Sequence, residues 1–345
     1  MKNKALRIVL VAAVALTLLV ICLLAGVKLG ERILFTRFYF NGSTEFKVPG
    51  VSDGFIQQGF DYLEEEEVYL VSGYMKDGSS SRVYIVSKNG KTEGFTKLRN
   101  QTGGRNNTHA GGIAHYGDYV YVCNGSGSNG IEVFKKSDIL SKNEARCIGN
   151  LDLGIAPAFV YVDKASNTLY SGNFHKDDSV YLSPEEYKMT TPSGDANTAL
   201  IGAFELDPQA KATFGLKSEN AKKVYSITSK VQGMLITPDN KLVLTTSWGV
   251  SKSHLLIYDF AKINEASGAT TRALGYTTEL YYVDSASCIK DVKAPPMAEE
   301  VVYMDGKILI MNESASNKYI FGKFTSGNYV NAYIYEKPAK QGADA

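Results

Sequence analysis

Gln58-Gly59-Phe60, followed at residues 68–73 by VYLVSG, is the first of five similar phrases along this chain. In each phrase, small or polar residues lead into one apolar strand, and a second strand ends in small polar residues. The other four are His109-Ala110-Gly111-Gly112-Ile113 with YVYVCNG, Pro157-Ala158-Phe159 with TLYSGNF, Gln232-Gly233-Met234 with KLVLTTSW, and Glu299-Glu300-Val301 with KILIMNES. Such self-similarity at a spacing of tens of residues indicates a repeat architecture.

The composition favours a protein made of strands. The chain has 345 residues, with 22 Tyr and 32 Gly but only 9 Pro. Aromatic side chains pack well on pleated surfaces, and Gly supplies the backbone angles of tight turns. The 37 basic and 36 acidic side chains nearly cancel, so the basic surface typical of a nucleic-acid-binding protein is not expected.

The spacing of the phrases predicts an all-β, five-bladed β-propeller over residues 51–337. The phrases begin near residues 58, 109, 157, 232 and 299, and a four-stranded blade needs about 40–50 residues. The longer third unit leaves room for a loop insertion at 174–199. The alternatives are a six-bladed ring and an open two-sheet sandwich, but a sandwich does not need small residues before every inner strand, where strands crowd a common axis.

Strand ends are harder to assign in the later units. We expect outer strands at 144–151 in the second unit and 273–283 in the fourth. In the fifth unit we expect a third strand at 317–324. The fourth strand of that unit must come from residues 329–336 or from the N-terminal segment 38–48, and either choice closes the ring and protects its edges.

The N-terminal region differs from the rest of the chain. Lys2, Lys4 and Arg7 precede residues 8–27, which contain no charge. Twenty apolar residues rising about 1.5 Å each cover a hydrocarbon core of roughly 30 Å, so we predict a transmembrane helix at 8–27. The rival interpretation is a cleaved signal peptide, whose apolar region usually has about 7–15 residues. The longer run favours an uncleaved signal-anchor.

The rest of the predicted topology follows from this helix. Basic residues lie on both sides of it in nearly equal number, so they decide little about its orientation. We expect residues 1–7 to form a short cytoplasmic tail and 28–50 a juxtamembrane connector. The propeller then lies outside the cytoplasm as part of a single-pass cell-membrane protein, and 338–345 form a disordered tail.

The repeat also predicts where a binding site lies. In an antiparallel blade, the start of the first strand and the end of the second lie at the same edge, so the polar residues at these positions in all five units converge on one face. A cluster of polar and aromatic groups in a concavity is a typical ligand site, and the 174–199 insertion leaves from the same edge. The predicted ligand-binding residues are Gln58, Tyr74, His109, Asn124, Asn173, His175, Gln232, Trp248, Glu299 and Asn312.

The chemistry of this face remains open at the sequence level. Polar residues at inner-strand starts often only hydrogen-bond neighbouring blades. If the chain is an enzyme, His109 is the candidate general base, and Glu299 and Glu313 are candidate acids. Asn124, Asn173, Asn312 and Glu299 offer the oxygen ligands that Ca²⁺ prefers, and the sequence predicts no other cofactor.

Unit 1 resembles the glutaminyl cyclase family of five-bladed propellers. Gln58-Gly59-Phe60, 71–74 (VSGY) and 80–83 (SSRV) follow that family's QGL turn, ESTGLYG strand end and serine-rich step, and Gly111-Gly112-Ile113 is similar to its second EGL turn. The resemblance implies a five-bladed fold. Val71 and Gly111 stand where the family carries carboxylates, and cyclising an N-terminal Gln needs a positioned acid. It therefore implies that activity only if Glu299 or Glu313 substitutes.

Taken together, the sequence predicts a membrane-anchored extracytoplasmic propeller that binds a peptide, glycan or protein at one face. The alternative hypothesis is a propeller enzyme of hydrolase, lyase or cyclotransferase type, assisted by calcium.

Overall fold

A computed structural model describes residues 2–125, 130–177, 180–265, 268–319 and 328–335. In these residues the strands form five large sheets and one two-stranded hairpin. The innermost strand of each large sheet contacts the innermost strands of both neighbouring sheets, so the ring closes. The fold is an all-β, five-bladed propeller, as predicted, and the six-bladed alternative is wrong.

Blades 1 and 2 follow the predicted order from the axis outward. Blade 2 ends at Gly149–Asp152, whereas Glu144–Arg146, which we assigned to the same strand, pairs in parallel with the outer strand of blade 1. From the axis outward, blade 1 contains Phe55–Leu63, Val68–Met75, Arg82–Ser87, Thr92–Arg99 and Glu144–Arg146. Blade 2 contains Ile113–Tyr116, Tyr119–Cys123, Gly130–Lys135 and Gly149–Asp152.

Blades 3 and 4 differ from the prediction at their outer edges. The strand expected at 273–283 as the edge of blade 4 is Thr278–Tyr282, which instead pairs in parallel with Lys223–Ile227 of blade 3. Blade 3 contains Phe159–Asp163, Thr168–Gly172, Ala199–Glu205, Lys223–Ile227, Thr278–Tyr282 and Ala269–Thr271. Blade 4 contains Val231–Ile236, Lys241–Thr246, Ser253–Asp259 and Cys288–Ala294.

Blade 5 closes the ring with both segments that the sequence offered as alternatives. From the axis outward it contains Ala298–Met304, Lys307–Asn312, Tyr329–Ile334 and Gly42–Lys47. Tyr329–Ile334 is thus the third strand, and the N-terminal Gly42–Lys47 is the outermost one. The strand expected at 317–324 is wrong for 317–319, which form a turn, and its remainder lies outside the described residues.

The hydrophobic core is divided among the gaps between blades. Within the described chain, five clusters of buried side chains each join two neighbouring blades. The cluster between blades 5 and 1 includes Phe46 from the N-terminal strand, Phe60 from blade 1 and Leu309 from blade 5. The ring is therefore sealed by packing between segments far apart in sequence.

The repeated glycines are needed where inner strands meet. A Cβ added at Gly59 would lie 2.4 Å from the Gly111 backbone oxygen and 2.7 Å from the Ile113 nitrogen. A Cβ at Gly112 would lie 2.6 Å from the Phe159 Cα. Such distances are far inside van der Waals contact, so only residues without a side chain allow the strands to approach this closely.

The N-terminal helix is joined to the propeller without a long connector. It runs over Lys2–Leu34, a single residue separates it from a short helix at Thr36–Phe40, and Gly42 begins the outermost strand of blade 5. Phe38 is buried between blades 4 and 5. The predicted connector at 28–50 is thus a helix end, a packed helical turn and a propeller strand.

One helix in the described chain is long and apolar enough to cross a membrane, and it covers the predicted span at 8–27. The helix begins by Lys2, so the predicted tail at 1–7 is largely helical. The predicted tail at 338–345 lies outside the described residues. Two further short helices lie at Lys136–Leu140 and Phe260–Glu265, and 3₁₀ turns lie at Val51–Asp53, Glu185–Tyr187, Lys211–Thr213 and Glu313–Ala315.

Candidate functional site

A cavity of about 630 Å³ lies at the end of the axis where inner strands begin. Seven of the ten predicted ligand-binding residues line it, together with the predicted acid Glu313. The seven are Gln58, Tyr74, His109, Asn173, Gln232, Trp248 and Glu299. Asn124, His175 and Asn312 are not among the lining residues. The down-and-back path of the blades therefore brings most of the set together, as the repeat predicts, while ligand binding itself stays a prediction.

His109 is held between blades 1 and 2. Its ring stacks on Tyr74 with centroids 4.7 Å apart, and its Nε2 lies 2.6 Å from Gln58 Oε1. Gln58 Nε2 donates to the Gln57 backbone oxygen at 2.8 Å, so Oε1 is the accepting atom and His109 Nε2 carries the proton. Desolvation within the cavity and the Lys318 charge hold the pKa of His109 below its usual range, so it is neutral at pH 7.

Two carboxyl groups from blade 5 form the acidic part of the cavity. Glu299 is buried, and Gln232 Nε2 lies 3.4 Å from its Oε1. Burial, then the neighbouring Glu313, raises the pKa of Glu299 well above its usual range. Burial also raises the pKa of Glu313, against the opposing charge of Lys318. Like charges in a low-dielectric site disfavour double ionisation, so the pair holds its last proton more firmly than an isolated carboxyl group does.

Glu300, which the sequence also placed near this face, turns into the axis. Its Oε2 accepts the backbone N–H groups of Phe60 and Ile113, both at 2.9 Å. Its Oε1 accepts the Val160 N–H at 3.1 Å. One carboxyl group thus joins the inner strands of blades 1, 2 and 3 to blade 5. It also lines a smaller cavity of about 260 Å³ at the other end of the axis.

One wall of the larger cavity is aromatic. The rings of Phe174 and Trp248 lie 5.9 Å apart, and Tyr181 meets both of them edge-on at 5.5 and 6.0 Å. Trp248 is 40% exposed, although large aromatic side chains usually gain free energy from burial. This wall combines the end of a blade 4 strand with the 174–199 insertion, which lines the cavity as the sequence suggested.

His175 and Asn173 hold the insertion in place. His175 is fully buried, and its Nδ1 accepts the Ser183 backbone N–H at 2.9 Å. Its Nε2 therefore carries the proton and faces Asp177 Oδ1 at 3.1 Å. Asn173 donates to Ser183 Oγ at 2.7 Å and accepts the Leu200 N–H at 2.8 Å. The partners of these polar groups lie in the loop and in the blade 3 strand Ala199–Glu205 that follows it.

Asn124 and Asn312 lie behind the cavity surface. Asn312 is buried and donates through Nδ2 to the backbone oxygens of Pro295 and Pro296, at 3.1 and 3.0 Å. The Asn124 backbone oxygen accepts the His109 N–H at 3.2 Å. Their positions follow from the strand ends, but a side chain can leave a strand end on the outer side of a cavity wall.

No group of three or more His, Cys, Asp or Glu side chains in the described residues is arranged to hold a metal ion. Of the four predicted calcium ligands, Asn173 and Glu299 line the cavity, and Asn124 and Asn312 do not. The calcium site stays a prediction.

Lys318, Tyr319 and Tyr181 are among the cavity side chains that sequence reasoning missed. Lys318 and Tyr319 follow the last phrase of the repeat in a stretch that we expected to be a strand, and Tyr181 lies in the insertion. The available signal for Lys318 and Tyr319 was a basic and an aromatic residue a few positions after Asn312-Glu313-Ser314. No feature of the sequence pointed to Tyr181, because the path of an irregular loop depends on its tertiary contacts.

Comparison with known proteins indicates similarity only at the level of the fold. No protein-family model and no curated sequence matches the chain. The PQQ-bound aldose sugar dehydrogenase from Streptomyces coelicolor is 12% identical, with a TM-score of 0.45, and 84% of this chain and 95% of that one are covered. The WD40 β-propeller domain of Doa1 is 13% identical, with a TM-score of 0.39 and coverages of 81% and 79%.

Hydrazine synthase from Kuenenia stuttgartiensis is 14% identical, with a TM-score of 0.36. The match covers 74% of this chain and 55% of that chain. Similarity at these levels carries no inference about ligands or activity.

Proposed function

We propose that this propeller is a membrane-anchored, extracytoplasmic binding module whose ligand enters the axial cavity. The observation that carries the proposal is the cavity's division into an aromatic wall at Trp248, Phe174 and Tyr181 and a polar floor at Glu299, Glu313 and Gln232. Flat or apolar ligand parts gain free energy on such a wall, and a few convergent polar groups fix their orientation. A peptide, a glycan or an exposed segment of a partner protein fits this pattern.

The chain provides its own probe for this proposal. Trp248 is its single tryptophan, and it is part of the cavity wall. In the full-length protein in detergent, dipeptides and disaccharides are titrated while Trp248 emission and its quenching by acrylamide are followed. A ligand in the cavity should shift the emission and protect it from quenching.

Variants locate the binding. The substitutions Gln232→Ala and Phe174→Ala should weaken every response, whereas Phe40→Ala, an exposed aromatic away from the cavity, should not. Isothermal titration with the Trp248→Ala/Gln232→Ala double variant is the independent check. Binding that survives this double substitution unchanged would show that the ligand site lies elsewhere.

The anchor and its orientation belong to the same proposal. Residues 8–27 should keep the full-length protein in the membrane pellet after an alkaline carbonate wash. An alkaline phosphatase fusion after residue 200 should be active, because that enzyme folds only outside the cytoplasm. Carbonate-soluble protein would favour a cleaved signal peptide, and an inactive fusion would place the propeller in the cytoplasm.

The second candidate is an enzyme, and the Glu299–Glu313 pair favours it. A carboxyl group whose pKa is raised by burial and by a neighbouring carboxyl group is better suited to general acid catalysis near neutral pH than an exposed one. His109 is the less suitable base at Nε2, because that atom donates to Gln58. A coupled assay on a Gln-initiated peptide tests the cyclotransferase version, with Glu299→Gln as the variant expected to be inactive. Elemental analysis tests calcium assistance, since a stoichiometric ion would support it.

A further inference from the structure

The ammonium group of Lys318 lies in a cage of side chains at the border of blades 5 and 1. Its Nζ is 2.6 Å from Tyr74 Oη and 3.8 Å from Glu313 Oε1. It also lies 5.2 Å from the Tyr74 ring centroid and 5.3 Å from that of Tyr319. Lys318, Glu313, Tyr74 and Tyr319 all line the axial cavity.

The cage has the donors and acceptors that a protonated amine needs. Tyr74 Oη lies 3.3 Å from Glu313 Oε1 and donates to it, which leaves its lone pairs to accept from Lys318. Tyr74 contributes its hydroxyl group rather than its ring face, because Nζ lies 2.6 Å from Oη but 5.2 Å from the ring centroid, beyond the hydroxyl end of the ring. The Tyr319 ring, with its centroid 5.3 Å from Nζ, can attract a cation through its negative face. The carboxyl groups of Glu313 and Glu299 supply negative charge beside the rings.

Lys318 is held loosely enough to leave. Its side chain is 42% exposed, and it ends a flexible stem of four carbons that can turn into solvent. Partly exposed ion pairs contribute little to stability, because water competes for both partners. Without Lys318, the carboxyl group of Glu313 would have little contact with water, since its side chain is only 15% exposed. It would therefore favour another cation in the same place.

We infer that the axial cavity binds a ligand with a protonated amino group, and that Lys318 occupies the ammonium position until the ligand displaces it. This inference rests on the proposed function, because it requires the cavity to be the ligand site. The ligand's amino group would lie between Glu313, the hydroxyl group of Tyr74 and the ring of Tyr319. Its apolar part would extend toward Trp248.

The electrostatics of the site agree with this exchange. The Lys318 charge lowers the pKa values of Glu299 and Glu313 against the larger effect of burial. A ligand ammonium group in the same place would lower the two carboxyl pKa values in the same way. Without either cation the pair would hold its proton more firmly, so amine binding to a protein lacking Lys318 should release protons and strengthen as the pH rises.

The test uses benzylamine, which is a cation at pH 7.5, and benzyl alcohol as its neutral counterpart. Both are titrated into the full-length protein in detergent, with Trp248 emission as the readout. The variant is Lys318→Met, which keeps the apolar stem. The matched control is Lys47→Met, an exposed lysine on the outermost strand of blade 5.

Removal of Lys318 should tighten benzylamine binding by about tenfold, the size of one cation–π and ion-pair contact. Benzyl alcohol should bind the wild type, Lys318→Met and Lys47→Met with similar affinity. Adding Glu313→Gln to Lys318→Met should remove the preference for the amine.

The other outcomes separate this inference from the proposed function. If benzyl alcohol binds but benzylamine gains nothing from Lys318→Met, or if both probes gain equally, the ammonium position is wrong and the cavity remains a ligand site. If neither probe binds any of the proteins, while circular dichroism shows them folded, both the ligand site and the ammonium position are overturned.

Discussion

Glu300 stands in the last phrase of the repeat where Gln58-Gly59-Phe60 and Gln232-Gly233-Met234 carry glycine. The backbone of Glu300 packs closely against Gly233 of blade 4, where a Cβ would lie 2.6 Å from the Glu300 Cα. The carboxyl group fills the axis and accepts three backbone N–H groups. Burial raises the pKa of Glu300, and these donors oppose the rise. A residue that looked like part of a binding face is therefore a link between blades.

Glu299 should make the stability of the protein depend on pH. Its pKa in the folded state is raised above an unfolded value of about 4.3. The folded state thus keeps a proton that the unfolded state releases. The stability that Glu299 contributes is fully present below a pH of about 4.3 and is lost as the pH rises toward the folded-state pKa. Glu299→Gln removes the titration, so this variant should gain stability relative to the wild type between pH 5 and 8. Each unit of pKa shift corresponds to about 1.4 kcal/mol.

Thermal unfolding of both proteins at a series of pH values measures this difference. Glu219→Gln, at an exposed position, is the control and should show no such trend. A constant difference between Glu299→Gln and the wild type at pH 5 and pH 8 would contradict the raised pKa.

At the level of single elements, the glycines at the irregular pairing of the inner strands set how closely two blades approach. In Gly59→Ala the new Cβ would meet the backbone of blade 2 at 2.4 and 2.7 Å, and backbone atoms cannot move aside as a side chain can. Overpacking of this kind typically costs about 1–3 kcal/mol. We expect a loss of this size in the free energy of unfolding, measured with urea.

Gly130→Ala is the matched control for this prediction. That glycine also lies in a strand, but a Cβ there would have its nearest neighbour at 3.6 Å, an ordinary contact. Equal losses in the two variants would mean that a general glycine effect, rather than crowding at the axis, governs these positions.

The insertion is an element held by its own polar contacts. His175→Ala removes the acceptor of the Ser183 N–H and the partner of Asp177. The loop should then be cleaved by a protease at a lower enzyme concentration, while the five blades stay intact. His254→Ala is the control, because His254 pairs with Asp291 on an outer face of blade 4. Equal protection of the loop in both variants would show that other contacts hold it.

For the whole molecule, closure of the ring depends on the N-terminal strand Gly42–Lys47. Phe46 is buried in the cluster between blades 5 and 1, with its ring 5.1 Å from that of Tyr69. Phe46→Ala should lower the free energy of unfolding by about 3–5 kcal/mol, as large-to-small core substitutions do. Phe40→Ala, at a phenylalanine that is 84% exposed, should change it little. Urea unfolding of the two variants gives the comparison, and similar values would argue against closure through this strand.

The same strand connects the ring to the apolar helix. Only one residue separates Lys2–Leu34 from the helical turn Thr36–Phe40, and Tyr39 Oη donates to Glu31 Oε1 at 2.7 Å. The segment that closes the propeller is thus continuous with the predicted anchor.

The sequence by itself determined the repeat, the number of blades, the apolar helix and several polar and aromatic residues of the cavity lining. These features are local or periodic: turn glycines, alternating apolar strands and an uncharged run of twenty residues can be read along the chain. Gln58, His109, Gln232 and Trp248 line the cavity because each sits at a fixed place in a repeated unit.

Tertiary structure alone decided the outer strands, the role of His175 and the place of Lys318. An edge strand pairs with whichever neighbour is in reach, so Thr278–Tyr282 joins blade 3 and Gly42–Lys47 joins blade 5. Whether a polar side chain faces a cavity, a loop or the axis depends on partners distant in sequence, as Glu299 and Glu300 show. Adjacent in the chain, one lines the cavity and the other joins four blades, at a point where the pairing of their strand is irregular.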